Sequence, residues 1–200
     1  PKNEGFSMII VPMDTPGIAV QPMALMSEDD INQVFYEDVR VPAANLVGGE
    51  NNGWSLITNQ LNHERVTLCS SGMLEQTYEE TLRFAQGTKL ADGRRVIDQE
   101  WAQLNLARVR AGLEFLRLVN WKVAWGATEG HPLDIGAAST IKVFGTEFYL
   151  EAFRLLMEVV GPASYLRTGS PEALLHSRLE RNYRSLIILT FGGGVNEVQR

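Results

Sequence analysis

Gly48-Gly49-Glu50-Asn51-Asn52-Gly53 separates two hydrophobic patterns, and its reading decides the fold. Three glycines and two asparagines in six residues make a loop. Upstream, apolar runs over 6–11, 18–26 and 34–41 are broken by Pro12, Asp14, Pro16 and Gly17. Those are strand lengths with turn chemistry between them, typical of an antiparallel sheet. In Phe35-Tyr36-Glu37-Asp38-Val39-Arg40-Val41 apolar and polar residues alternate until Pro42 stops the strand. Downstream the period lengthens to that of a helix, and proline is nearly absent until Pro132. Helices are expected over 54–86, 99–130, 135–160 and 171–191, with breaks at 87–93, 130–132 and 161–169. Long helices joined by short connections favour an antiparallel four-helix bundle. The expected fold is mostly α: residues 1–52 form the end of an antiparallel β domain and 53–200 a helical bundle domain.

Composition narrows the function. The 200 residues are 44% hydrophobic and 21% charged, enough for a real core. A net charge of −6 leaves no broad basic surface for nucleic acid or anionic lipid. The single cysteine, Cys69, excludes an intrachain disulfide, and His63, His131 and His176 are too scattered for metal-ligand spacing. Reducing, cytoplasmic surroundings fit this usage. No apolar run reaches the roughly 20 residues that span a bilayer. A start at Pro1 without Met, opening almost directly on a strand-like run, points to an N-terminus that lies upstream.

The segment Leu61-Asn62-His63-Glu64-Arg65-Val66 is the informative one for chemistry. On a helix whose apolar stripe runs Trp54, Ile57, Leu61, Leu68 and Gly72, Glu64 and Arg65 fall on the two flanks of that stripe. The carboxylate is thus aimed toward the interior, where burial and a nearby cation can tune a general base. The same spacing also suits a structural Glu64–Arg65 pair closing the bundle end. His63 points away from the stripe, a surface or interfacial position, and Cys69 reads as a small buried residue. Phe191-Gly192-Gly193-Gly194-Val195-Asn196 follows a helix, so it is no dinucleotide fingerprint. It is either a helix C-cap with spare glycines or backbone that approaches a ligand and offers N–H groups. Arg178, Arg181 and Arg184 recur every three residues beside Glu180, a solvated or intersubunit face or a holder of an anionic group.

Three segments together resemble the acyl-CoA dehydrogenase family: Phe35 to Pro42 with Asn45 and Gly48, the helix with Glu64-Arg65, and the ending Gly193-Gly194-Val195-Asn196-Glu197-Val198-Gln199-Arg200. The resemblance covers essentially the whole chain. It implies the end of the family's middle β domain plus its C-terminal four-helix domain. It also implies FAD as cofactor and a reaction in which a carboxylate removes the α-proton of an acyl-CoA while the β-hydrogen leaves as hydride to the flavin. Most members keep that base just before the Gly-Thr of the closing motif, where Gly193 stands here. A minority, the isovaleryl- and long-chain-type enzymes among them, carry it directly before an Arg on the first helix of the C-terminal domain. Glu64-Arg65 matches that arrangement. The same matching implies that Arg65 supports the base and binds substrate and that Asn62 contacts the pantetheine arm. It further implies that the Gly193 N–H binds the thioester oxygen and that Gly161, Val195, Asn196 and Glu197 contact the cofactor. Moving the base goes with bulky or branched acyl chains in the family, because the vacated position frees space near Cα.

Two departures stand out. The family's Arg-x-x-Phe-Gly motif, which in homotetramers reaches a neighbour's FAD, is here Lys89-Leu90-Ala91-Asp92-Gly93, and the Gln of its Gln-x-x-Gly-Gly motif is Met157. Together they resemble one subunit of an α2β2 heterotetramer of the actinobacterial steroid side-chain type, with a homologous partner supplying the FAD-binding arginine; a homotetramer is the other assembly. An electron-accepting flavoprotein is the implied redox partner. The rival readings are an acyl-CoA oxidase and a non-catalytic subunit that completes a partner's FAD site.

Overall fold

Proline, glycine and aspartate cut the first part of the chain into short strands. The computed structural model describes residues 3–28, 31–131 and 134–200, with the Asn62 side chain outside that set. The chain divides into two compact units, Pro1–His63 and Glu64–Arg200, the division falling within one helix.

In the first unit, β1 (Met8–Ile9) pairs antiparallel with β4 (Leu46–Val47), and β2 (Ile18–Met23) with β3 (Ile31–Tyr36) in the register Ile18 to Tyr36 and Met23 to Ile31. These strands are shorter than expected. β3 ends at Tyr36, not Val41, because Asp38 adopts a left-handed conformation (φ 48°) and turns the chain out of the ladder. A two-stranded ribbon buries little by itself, and Val20, Phe35 and Tyr36 remain exposed.

The helix α1 (Gly53–Thr67) and α2 (Gly72–Gly87) replace the single helix expected over 54–86. The carbonyls left without a helical partner at the break are taken by tertiary donors. Asn120 Nδ2 donates to Cys69 O at 2.9 Å, and the Tyr149 hydroxyl donates to Ser70 O. Such partners offset the cost of interrupting a helix. The helices α3 (Glu100–Thr128) and α4 (Ile135–Val160) follow the expected spans closely. The break at 130–132 runs partly outside the described residues.

The bundle is built around α4, which packs against α2, α3 and the shorter α5 (Arg178–Leu186). Its N-terminus is capped by Asp134, whose carboxylate accepts from the Gly136 N–H at 2.9 Å. Its buried residues Ala138, Ile141, Gly145, Tyr149, Ala152, Phe153, Leu156 and Val159 recur at three- and four-residue intervals. A β-carbon at Gly145 would lie 2.7 Å from the Cys69 sulfur, so only glycine lets the α1–α2 break settle on α4.

The last helix is shorter than expected. Leu175, His176 and Ser177 all have positive φ (50°, 54° and 55°), which stops a helix from running through them, and a 3-10 turn (Ile187–Thr190) follows α5. The arginine row is not one face. Arg184 is buried and bonds Glu180 at 2.8 Å, Arg178 pairs with Glu80 of α2, and Arg181 is exposed.

Cys69 is fully buried, and desolvation pushes its thiol up to about 12. Only the thiolate is a nucleophile. Alkylation of Cys69 by iodoacetamide at pH 8, followed by peptide mass spectrometry, is therefore expected only after denaturation. Rapid labelling in the native state would show that the break opens readily.

Candidate functional site

Two elements at one end of the bundle build the site: the last turn of α1 and the glycine turn before α6 (Asn196–Gln199). Glu64 and Arg65 are both half-buried, as the flank positions require. The pair does not close on itself. Arg65 Nε donates to Gly193 O at 3.1 Å, and among the described residues the Glu64 carboxylate takes neither an ion pair nor a hydrogen bond. His63 is exposed, its Nδ1 2.8 Å from Asn59 O. Asn62 lies on α1, but its side chain is outside the described residues.

Gly193 and Gly194 both have positive φ (69° and 99°). Their N–H groups donate to nothing among the described residues, so the turn presents two unspent backbone donors. A β-carbon at 193 would lie 2.9 Å from Leu68 Cδ1. The left-handed backbone disfavours a side chain at this position, where the resemblance puts the base of most family members. Leu68 also occupies part of the space that the missing side chain was expected to free.

One residue that sequence reasoning missed holds this turn. Lys142 of α4 is fully buried, and its Nζ donates to Thr190 O at 3.3 Å, to Gly194 O, and to Asn196 Oδ1 at 2.6 Å. Desolvation presses its ammonium below the ordinary lysine value, and the Arg65 guanidinium adds to that; the Cys69 thiol and the Glu197 and Glu147 carboxylates oppose it. The available signal was its phase: Lys142 falls on the apolar stripe of α4, between Ala138 and Gly145. Asn196 is also buried, with all its side-chain capacity spent inside. Its Oδ1 accepts from Lys142, and its Nδ2 donates to Thr146 Oγ1 (3.1 Å) and Glu147 (3.2 Å). Val195 and Glu197 are exposed beside it. Gly161 caps the opposite end of α4 with open space around it (φ 85°), roughly 28 Å from Lys142 at 1.5 Å per residue. The structure thus brings Arg65, Gly193 and Asn196 together and leaves Gly161 apart.

The acyl-CoA dehydrogenase C-terminal domain model matches residues 51–200. The chain belongs to the acyl-CoA dehydrogenase family. It is 52% identical to acyl-CoA dehydrogenase FadE26 of Mycobacterium tuberculosis over its whole length and 50% of that protein. It is 38% identical to FadE29 of the same organism, again over its whole length and 50% of the relative. The ChsE4-ChsE5 complex of Mycobacterium tuberculosis matches at TM-score 0.90 and 52% identity, over the whole chain and 51% of that one. The Tcur3481-Tcur3483 steroid acyl-CoA dehydrogenase matches at 0.90 and 38%, over the whole chain and 50% of its counterpart. This acyl-CoA dehydrogenase chain therefore spans about half the length of the relatives it matches, and its mostly helical fold is that of their C-terminal half.

Family members are flavoproteins that use FAD. The glycine turn suits that group: unspent backbone N–H donors lie beside the apolar Val195 and the Glu197 carboxylate, which can accept from hydroxyl groups. The hairpin at 89–93 does not suit a diphosphate. It closes on itself through Leu90 N–H to Arg94 O at 2.8 Å. Asp92 puts a carboxylate at its tip and spends the Arg94 guanidinium in a 2.7 Å ion pair. Among the described residues no cluster of His, Cys, Asp or Glu could hold a metal ion, and no helix is long and apolar enough to cross a membrane.

Proposed function

We propose that the protein carrying this chain is an FAD-dependent acyl-CoA dehydrogenase that converts a bulky or branched acyl-CoA, a steroid side-chain thioester among the candidates, to its 2-enoyl-CoA. The observation that carries this reading is the half-buried Glu64 carboxylate, unpaired among the described residues and one residue from the arginine that binds the Gly193 turn. A carboxylate oxygen of Glu64 takes the α-proton, with no ion pair among the described residues to be broken first. The Gly193 N–H donates to the thioester oxygen and stabilises the negative charge that grows there as the Cα–H bond breaks. Arg65 holds that turn through Gly193 O while Glu64 projects from the same helical turn, so base and oxyanion donor keep a common frame. FAD, when bound, supplies the hydride acceptor for the β-hydrogen. With the α-proton taken by Glu64 and the β-hydrogen leaving as hydride to that acceptor, the electron pair of the Cα–H bond would form the Cα=Cβ bond, so the reaction balances.

The steroid class and a heteromeric assembly are supported by the relatives: one structure is named a ChsE4-ChsE5 complex, another a steroid acyl-CoA dehydrogenase of two components. The Asp92 hairpin supports a partner that supplies the cationic contacts to the FAD diphosphate. It equally favours a second reading, a subunit that completes its partner's flavin site without catalysing. Full-length protein made alone and together with its homologous neighbour separates these assemblies. Yellow protein only on co-expression, at about one FAD per pair, is the expected result, and anaerobic acyl-CoA should bleach it. Stoichiometric FAD in a homotetramer made alone would overturn the heteromer. Rapid oxygen consumption without another electron acceptor would identify an oxidase instead.

A further inference from the structure

A buried ammonium is costly where its partners are uncharged, and a methionine of similar length would fill the same space without that cost. Lys142 nonetheless directs its donors to neutral acceptors on both sides of the glycine turn: Thr190 O before it, Gly194 O within it, Asn196 Oδ1 after it. No carboxylate lies within ion-pair reach of Lys142 among the described residues; Glu147 reaches it only through the Asn196 amide. The turn needs such an anchor. Gly193 and Gly194 carry no side chains and spend neither N–H among the described residues, so the hydrogen bonds that hold them there run to their carbonyls: Arg65 on Gly193 O and Lys142 on Gly194 O. Arg65 is half-buried, whereas Lys142 is fully enclosed on the best-packed helix. An enclosed charge loses less of its field to solvent.

We propose that Lys142 is a positioning residue for the reaction: by holding Thr190, Gly194 and Asn196 together it sets the 193–195 turn so that the Gly193 N–H faces the thioester oxygen. The proposal rests on the reading of Gly193 as the oxyanion donor. Removing the anchor frees two glycines to rotate, and misplacing a catalytic donor by about 1 Å can cost on the order of 10²-fold.

The test uses the full-length flavoprotein with its partner subunit. Lys142→Met is expected to retain FAD and assembly, lower kcat by about 10- to 100-fold and change KM by less than about threefold, since the change is one of aim and not of contact. The infrared carbonyl band of bound, carbonyl-labelled enoyl-CoA should move back toward its value in solution, because a misaimed N–H polarises that oxygen less. Unchanged kcat and an unmoved band would overturn the proposal. Should Lys142→Met fail to assemble, Asn196→Ala removes one acceptor and leaves the two carbonyl bonds. A smaller fall in kcat with the same direction of band shift is then expected, and no shift overturns the proposal. Failure of the underlying reading is distinguishable: a band that already lies at its solution value in the unmodified enzyme would remove Gly193 as donor, whatever Lys142 does.

Discussion

Glu64→Gln is expected to leave the chain folded and flavin bound while turnover falls by at least about 10²-fold, the usual contribution of a positioned general base. The substitution keeps shape and replaces a carboxylate oxygen by an amide that cannot take a proton. Because Glu64 has no ion pair among the described residues, its loss leaves no partner charge stranded, so stability should hold. Arg65 keeps its bond to Gly193 O in the variant, so the glycine turn remains in place. The check is stopped-flow reduction of the flavin by acyl-CoA, with flavin absorbance and sedimentation as controls. Near-native reduction would remove Glu64 from the mechanism. If activity instead disappears on neutralising a partner subunit's carboxylate, the non-catalytic reading of this chain gains.

Phe153→Ala is expected to cost about 3–5 kcal/mol of unfolding free energy, the range for truncating a buried phenylalanine. Phe153 is wholly buried in the C-terminal half of α4, the helix against which α2, α3 and α5 all pack, so several helices would have to shift to fill the void. Phe153→Leu retains most of the volume and should cost less than about 1.5 kcal/mol. Urea unfolding followed by helical circular dichroism measures both. A cost below about 1 kcal/mol for the alanine variant would mean that the bundle collapses around the void.

The bundle was legible because its signal is periodic. The spans of α3 and α4 follow from three- and four-residue spacing of apolar side chains, and that spacing persists whatever packs against it. The ends were less legible. The helix expected over 54–86 is interrupted because Asn120 and Tyr149, some 50 and 80 residues further along, take the carbonyls of Cys69 and Ser70. The period of the segment itself contains no trace of those donors. The last helix is cut short by three left-handed residues for which neither glycine nor asparagine gives warning.

The candidate site divides in the same way. Glu64 and Arg65 could be placed at the flank of a helix from their phase, and the Gly193-Gly194 pair could be marked as backbone open to a ligand. Which groups meet is a matter of tertiary structure. The Arg65 bond to Gly193 O joins residues 128 positions apart, and the Lys142 bond to Asn196 joins residues 54 apart. Asn196 was expected at the cofactor, and its side chain links a buried lysine and Glu147. The sequence by itself determined the helical class, the acyl-CoA dehydrogenase resemblance and the residue types of the candidate site, because periodicity and short motifs are local. Tertiary structure alone decided where the helices break and what holds the glycine turn. Hydrogen bonds between distant segments are satisfied only when the whole bundle has closed.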